Sequence, residues 1–554
     1  MRSAMRHARS LSVPRVAEEI DVAIVGGGIG GVALTLAIAR NNRQLVAQST
    51  LRCAMCGVLC GHDFESGRDS GPRTADGYIA QRRQQHYERF HADRHAYEDC
   101  FPAARPPTPR PLTVKTFEKD AGFSARRQGY GLTMQQAYTA LERLGLAEAA
   151  RAEDTPSDAH YIFDGSGQLI NVFTSNAFGS ASAPDEGSSW ERRRNVTIPR
   201  QRLRALLIDE LSRYSPSAIE WGWEYGGHSA CADGRIGIEF ESRGDGGQQI
   251  RRSVVARALV GADGIWSGVR DQMLLSEGAA NLLEYLGVAV VLGIAPSDHP
   301  LCHGNTLQML DGSTRLYSMP FATGEAEPST FWQLSFPCEE AEAHRYRHDT
   351  AALLKELGRR CAHWHEPVPS LLRHTPREAI TCYPVYDRGE SYPFHASRLE
   401  LPTEVSAGAA HDRVTLLGDA AHPMAPFKAQ GANQALLDAV HLADALAVTD
   451  LASRSATANS LRELELQMHA RSERQRLRSR TAAATLHCSD VRAAATTGKA
   501  LQPPSEELLA EFRRARIGCW DAEASVHPLV RKIKEARKVV RRRESRRRVR
   551  QRDA

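Results

Sequence analysis

The sequence predicts a mixed α/β chain (α+β in its overall balance), and three observations carry that prediction. An apolar run, Val22 to Val25, enters Gly26-x-Gly28-x-x-Gly31, and a helix-prone segment, Val32 to Arg40, follows. A long block rich in strand formers occupies about 285–336. A second strand, in "RVTLLGDAAHPM", ends at Gly418-Asp419 and is followed by the helical pattern "GANQALLDAVHLADAL". Strand, glycine turn and helix in that order form a Rossmann-like dinucleotide-binding unit, because glycines let the backbone approach a pyrophosphate at the positive end of the helix.

Such a unit requires an acidic residue about 20 positions beyond the turn to hold a ribose. After Asp21 the chain has no Asp or Glu until Asp63. The candidate is Glu118, at the end of the strand Leu112 to Phe117 in "PLTVKTFEKD", but it stands 87 positions after Gly31. Removing the 66 residues 45–110 leaves 21. That segment holds only six Ile, Leu or Val but nine Arg, four His and the proline cluster "FPAARPPTPR". So few aliphatic side chains cannot offset the entropy of ordering it, and it reads as an inserted, largely disordered loop. Cys53, Cys56, Cys60 and His62 within it lack the second well-spaced pair of a metal site, so no metal is expected.

Elsewhere the elements follow in order. "SARRQGYGLTMQQAYTALERLGL" reads as a glycine-containing turn leading into an amphipathic helix, and 160–172 and 218–260 as strands. "IPRQRLRALLIDEL" reads as a helix, and 460–515 as polar helix.

The totals bound the classes open to the chain. With 554 residues, 42% hydrophobic and 25% charged, it is soluble, globular and large enough for several domains. No apolar run reaches 18 residues, so no membrane span is expected. Eleven scattered cysteines suit free thiols in a reducing compartment, and a cytoplasmic location is expected. The Arg-rich start, "MRSAMRHARSLSVPRV", reads first as a tail, with organelle import as the alternative. Residues 531–552 hold 13 Lys/Arg against two Glu; that +11, within a chain of +5, leaves the remainder at −6. The tail reads as a solvated end, and it is the one segment suggesting nucleic-acid contact.

Three separated motifs remain: the glycine turn with Glu118, "GADGIWSGVR" at 261–270, and "LLGDAAHPMAPFKAQGANQALLDA" at 416–439. Gly26, Gly28 and Gly31 would admit a pyrophosphate, Glu118 would accept from ribose hydroxyls, and Asp419 from a sugar-alcohol chain. The helix after Gly431 would point its positive end at an electron-rich ring or anion. Together these motifs resemble the single-component FAD-dependent aromatic hydroxylases of the p-hydroxybenzoate hydroxylase type, over about 18–490 apart from the insertion.

The resemblance implies a Rossmann-like FAD-binding domain, an interleaved β-sheet substrate domain and a helical C-terminal region. It divides the chain into a disordered start (1–17), FAD-binding parts (18–44, 111–280 and 405–445), the insertion (45–110), a substrate-binding sheet (281–404), C-terminal helices (446–520) and a basic tail (521–554). It implies FAD as cofactor, NADPH or NADH as reductant, O2 and a small aromatic substrate, with hydroxylation through a flavin hydroperoxide. Glu118 would bind the adenosine ribose, Arg127 the FAD phosphates, and Arg200 the flavin. Asp263 and Gly264 would serve FAD and NADPH together, and Asp419 the ribityl chain. Pro426 would line the ring, with backbone contacts from Gly431, Ala432 and Asn433. Ala429 departs from the family, where many relatives have Gly. No side chain is assigned as catalytic, His422 is read as structural, and the oligomeric state is left open. Tyr317, Phe321 and Trp332 are candidates for the pocket, though core positions suit them better.

Two competing readings are weaker on motif grounds. An enzyme with two dinucleotide domains needs a second Gly-x-Gly-x-x-Gly, which is absent, and Trp221-Gly222-Trp223 does not continue into a flavin-halogenase signature. An FAD oxidoreductase that inserts no oxygen, or a flavoprotein disabled by the insertion, remains as an alternative.

Overall fold

The computed structural model describes residues 18–59, 110–125, 130–157, 159–174, 195–243, 247–276, 283–296, 299–321, 329–389, 410–491 and 495. Arg127, Cys60, His62, the N-terminal 1–17 and the basic tail lie outside them, as do the side chains of 48–59.

Two seven-stranded sheets organise the described chain. In the first, β1 (Glu18–Val25) lies between β2 (Val114–Glu118) and β10 (Gln249–Gly261), parallel to both. Residues 20–25 of β1 are buried without alternation, as expected for a strand covered on both faces. β7 (Ile219–Trp221) extends the sheet beyond β2, and β9 (Ile236–Arg243) and β8 (Glu224–Ala230) extend it beyond β10. The last residues of β10, Leu259 to Gly261, also pair in parallel with β16 (Val414–Leu416). Three chain segments that are remote in sequence thus end side by side at one edge of the sheet.

Helix α1 (Ile29–Leu59) packs on this sheet through residues 29–39, which are buried. It does not stop at Arg40, where the sequence reading ended the helix; the first fifteen residues of the supposed loop, 45–59, continue it. Counting Ile, Leu and Val measured the capacity to build a core. Helix propensity is a separate property, and this stretch has good helix formers with no Gly or Pro until Gly57.

The second sheet runs β15 (Thr381–Arg388), β11 (Leu283–Pro296), β14 (Ser329–Pro337), β13 (Arg315–Phe321), β12 (Asn305–Leu310), β4 (Ala159–Asp164), β5 (Leu169–Thr174). The sequence reading had drawn all of 111–280 into the nucleotide-binding part. Instead β4 pairs in parallel with β12 and carries β5 with it, so 159–174 completes the other sheet. β-propensity shows that a segment is a strand, but its partner is a long-range choice. A ribbon of β3 (Gly131–Met134) and β6 (Val196–Pro199) links the halves.

Short helices α2 (Tyr138–Arg143) and α3 (Ala147–Ala152) precede β4, and α4 (Arg200–Ser212) follows β6. α5 (Gly268–Ser276) follows β10; α6 (Glu340–His348), α7 (Thr350–Cys361) and α8 (Val368–His374) cover the second sheet. Then come α9 (Gly431–Val448), against α1, and the long α10 (Arg454–Thr485). α10 touches both sheets: its Glu465 accepts from Thr415 of β16 at 2.7 Å, and its Arg476 donates to the Arg388 carbonyl of β15 at 2.7 Å. No helix among the described residues is long and apolar enough to cross a membrane.

Candidate active site

The glycine turn is shaped by contacts that exclude side chains. A Cβ on Gly31 would lie 1.9 Å from the Gly26 carbonyl oxygen, and one on Gly26 would lie 2.4 Å from that of Ala262. Gly26 also adopts φ +106°, a left-handed value that favours glycine. Beside Gly28 a Cβ would meet nothing within 4 Å, so this position opens onto the cavity.

Glu118 stands where the motif requires it. Phe117 is in register with Val25 across β1 and β2, and the Gly26 amide donates to the Phe117 carbonyl at 2.8 Å. The next residue therefore projects over the turn. Its Oε2 accepts from the Gly27 amide at 2.7 Å and its Oε1 from the Asp120 amide at 2.9 Å. The intervening chain leaves and returns at one place. Asn42 of α1 donates to the Leu112 carbonyl and accepts the Leu112 amide, both at 2.8 Å. Arg110 pairs with the buried Asp21, which also accepts from Thr113. The two ends of the 66-residue detour are thus held together, and Glu118 keeps its place over the turn.

The other two motifs meet the turn from the ends of β10 and β16. Gly264 has φ +83° and Gly418 φ +58°, left-handed values that favour glycine just after β10 and β16. Asp263 is enclosed and its pKa is raised, by desolvation above all, against hydrogen bonds from Ser267 and Val269. Its Oδ1 has no hydrogen-bond partner among the described residues, an orphaned acceptor on the cavity wall. Asp419 is exposed to the same space, and desolvation by its surroundings raises its pKa against the pull of His422 and Arg200. Helix α9 starts beside it; a Cβ on Gly431 would sit 3.4 Å from Asp419 Oδ1. First-turn amides lack partners within their own helix, so this end offers donors and positive potential.

Arg200 lines the cavity with its guanidinium 5.6 Å from the Tyr130 ring centroid. Pro426, Gly431 and Ala432 also line it. Asn433 is different. It is buried, with its Oδ1 accepting from the Gln135 and Ala137 amides and its Nδ2 donating to the Thr133 and Ala429 carbonyls. Its side chain clasps the β3 loop to α9, which leaves only its backbone for any ligand. Ala429 adopts φ +53°, the conformation glycine would hold without strain.

Three supports escaped the sequence reading. Buried Arg204 donates from Nε to the Gly27 carbonyl at 2.9 Å and so holds the turn from α4. Fully buried Arg270 donates to the Ile265 and Ala420 carbonyls, at 2.6 and 3.1 Å, and joins the second motif to the third. Asp438 of α9 accepts from His422 Nε2 at 2.7 Å, from the Gly418 amide at 3.0 Å and from Arg471. Desolvation would raise the pKa of Asp438, but His422, Arg471 and the Gly418 amide outweigh it and hold the pKa low. His422 is buried with its Nε2 turned to Asp438. One signal was available: Arg200 and Arg204 stand four apart, on one face of a helix.

These elements enclose one continuous cavity of about 2550 Å³, from the glycine turn to the face of the second sheet. Drug-sized ligands occupy roughly 300–1,000 Å³, so the space suits a dinucleotide with a second molecule beside it. Tyr317 lines the cavity, whereas Phe321 and Trp332 are core residues, with the Trp332 indole donating to Thr375 at 2.8 Å.

The sequence profile for "FAD binding domain" matches residues 116–458. The chain belongs to this family of FAD-binding proteins. Among curated relatives, the aurachin C monooxygenase/isomerase of Stigmatella aurantiaca is 28% identical over 342 residues, covering 61% of this chain and 75% of that protein. The phenazine 1,6-dicarboxylic acid hydroxylase of Lysobacter antibioticus is 30% identical over 351 residues, covering 61% and 77%. Among solved structures, Klebsiella pneumoniae HpxO complexed with FAD and uric acid superposes with a TM-score of 0.55 at 18% identity, covering 92% of this chain and 98% of that one. At that identity the likeness speaks for the fold alone. The family member described here is an FAD-dependent monooxygenase, and FAD is its cofactor. The residues fit that group: an open glycine turn, a carboxylate beyond it, an orphaned acceptor at Asp263 and a helix start facing the cavity.

Proposed function

We propose that this protein hydroxylates a small aromatic ring, with NADPH or NADH as reductant and O2 as oxidant. The observation that carries the reading is the single cavity joining the glycine turn, both Asp-bearing loops and the second sheet. Gly26, Gly28 and Gly31 leave room for the pyrophosphate, and Glu118 accepts from the ribose. Asp419 accepts from the ribityl chain, and Asp263 with Gly264 serves FAD and the reductant. Pro426 and the backbone of Gly431, Ala432 and Asn433 border the flavin ring. Arg200 approaches it from α4, and Arg127, outside the described residues, is assigned to the phosphates by the family resemblance. When bound, reduced FAD supplies the activation of O2 that ring hydroxylation needs.

The chain's own part is to position the ring and exclude water. Phe427, buried beside Pro426, and Tyr317, Met319 and Phe331 of the second sheet form an apolar wall for that purpose. The β-rich part, 281–404 with 159–174 added, is the substrate-binding unit in this reading. Turnover under 18O2 tests it: label in a hydroxylated ring supports hydroxylation. Reductant consumption with an unlabelled ring product would instead indicate a flavin oxidoreductase that inserts no oxygen.

A further inference from the structure

Trp266 is the only aromatic side chain among the exposed large hydrophobics of the described residues, and it is 59% exposed. It stands three positions beyond Asp263 and lines the cavity where that opens to solvent. Its ring meets that of Tyr386, on β15, with centroids 5.4 Å apart and planes at 73°. Tyr386 covers one side of the indole at most, so a face of it stays open. A tryptophan left this exposed forgoes the burial that usually stabilises it, and such residues anchor binding surfaces.

The indole is mounted rigidly. The Tyr386 hydroxyl donates to Glu340 Oε1 at 2.6 Å and accepts from His344 Nε2 at 2.8 Å. Behind it lies the Tyr285 ring, with centroids 5.6 Å apart, and the Tyr285 hydroxyl donates to the Cys338 carbonyl at 2.6 Å. Both supporting rings are thus fixed at their polar ends, and little side-chain freedom remains to be lost when a ligand stacks.

A cation stands on the same rim. His344 and Arg347 are three apart on α6, so they share a face of that helix, and both line the cavity. The rim runs from Trp266 through Tyr386 and His344 to Arg347. Arg347 is exposed, and among the described residues no carboxylate pairs with it, whereas its neighbour Arg345 is paired with Glu342 at 2.9 Å. An open aromatic face beside an unpaired guanidinium suits a planar base that carries phosphate.

We propose that Trp266 and Arg347 form the docking platform for the adenosine end of the reductant, with adenine stacked on the indole and the 2′-phosphate of NADPH on the guanidinium. The proposal rests on the reading of the cavity as a reductant-driven flavin site. It makes NADPH the preferred reductant, because NADH has no 2′-phosphate to offer Arg347. It also places the reductant at the mouth and leaves the apolar wall at Tyr317 and Phe427 to the ring substrate.

The test uses the FAD-loaded protein and two nucleotide probes that cannot reduce it, adenosine 2′,5′-bisphosphate and adenosine 5′-phosphate. Their binding is read by the shift in Tm. NADPH and NADH are read by anaerobic bleaching of the flavin, which separates half-saturation from limiting rate. The bisphosphate and NADPH are expected to bind about tenfold more tightly than their counterparts, as for one charge-assisted contact. Arg347→Gln should abolish that preference. Trp266→Ala should raise the half-saturating NADPH concentration about tenfold through lost stacking, with the limiting rate and the flavin spectrum unchanged. Trp266→Phe should restore part of the affinity. Equal binding of the two probes, a preference that survives in Arg347→Gln, or unaltered half-saturation in Trp266→Ala would each overturn the proposal and leave the hydroxylase reading standing. Bisphosphate that binds through Trp266, with no bleaching by either reductant, would overturn the hydroxylase reading and leave the nucleotide platform standing.

Discussion

Ala429 holds the left-handed conformation at φ +53° on the cavity wall. A non-glycine residue there costs roughly 1–2 kcal/mol, and glycine's greater chain entropy returns roughly half of that. Ala429→Gly is therefore expected to stabilise the protein by about 0.5–1 kcal/mol, read as a raised denaturation midpoint with unchanged m-value. An unchanged or lowered midpoint would refute it. Gly31 gives the opposite case. A methyl 1.9 Å from the Gly26 oxygen cannot be absorbed by a side-chain rotation, because both partners are backbone. Gly31→Ala is expected to yield protein without the yellow flavin spectrum. Asp438 sets a pH dependence. Its pKa is held below the ordinary 3.8, so its stabilisation is complete above that value and is lost as pH falls through the lower folded value. Asp438→Asn should flatten the acid limb of a stability–pH curve, and an unaltered limb would assign acid sensitivity elsewhere.

At the level of elements, the segment between α1 and β2 was the main obstacle to reading the chain. The Asn42–Leu112 clasp and the Asp21–Arg110 pair bring its two ends together. A closed loop gains little entropy penalty with length, about 0.6 kcal/mol per doubling. Replacing residues 45–109 by a short Gly/Ser linker is therefore expected to preserve flavin binding, measured by the visible spectrum of the purified protein. A colourless but folded variant would show that the helical extension to Leu59 contributes to the site. Loss of Asn42, by contrast, leaves a backbone donor and acceptor at Leu112 without their partners. Asn42→Ala should cost about 1–3 kcal/mol.

Across the whole molecule, α10 couples the two sheets. Asp387 of β15 is fully buried and faces Arg476 at 3.5 Å and Arg480, both on this helix, while Thr415 of the first sheet bonds to its Glu465. Removing one member of a buried ionic group strands the others, at about 3–5 kcal/mol. Asp387→Ala is expected to lower stability by that order and to make the two sheets unfold in separate transitions, because the second sheet loses its tie to the helix. One unshifted transition would show that the sheets are held by other contacts. FAD binding acts on the same scale: ligand at 100-fold its Kd adds about 2.7 kcal/mol. Stripping the cofactor should therefore lower Tm, and adding it back should restore it.

Local chemistry made much of this legible without a structure. The glycine turn, Glu118, Asp263-Gly264 and Gly418-Asp419 are short motifs whose residue types carry their own geometric demands, and each lines the cavity. The strands and helices that carry them follow from hydrophobic patterning over a few residues. Tertiary structure alone decided what depends on distant partners. Pairing with β12 took β4 and β5 into the second sheet, and Arg204 and Arg270 became supports because the Gly27 and Ala420 carbonyls, remote in sequence, came within reach.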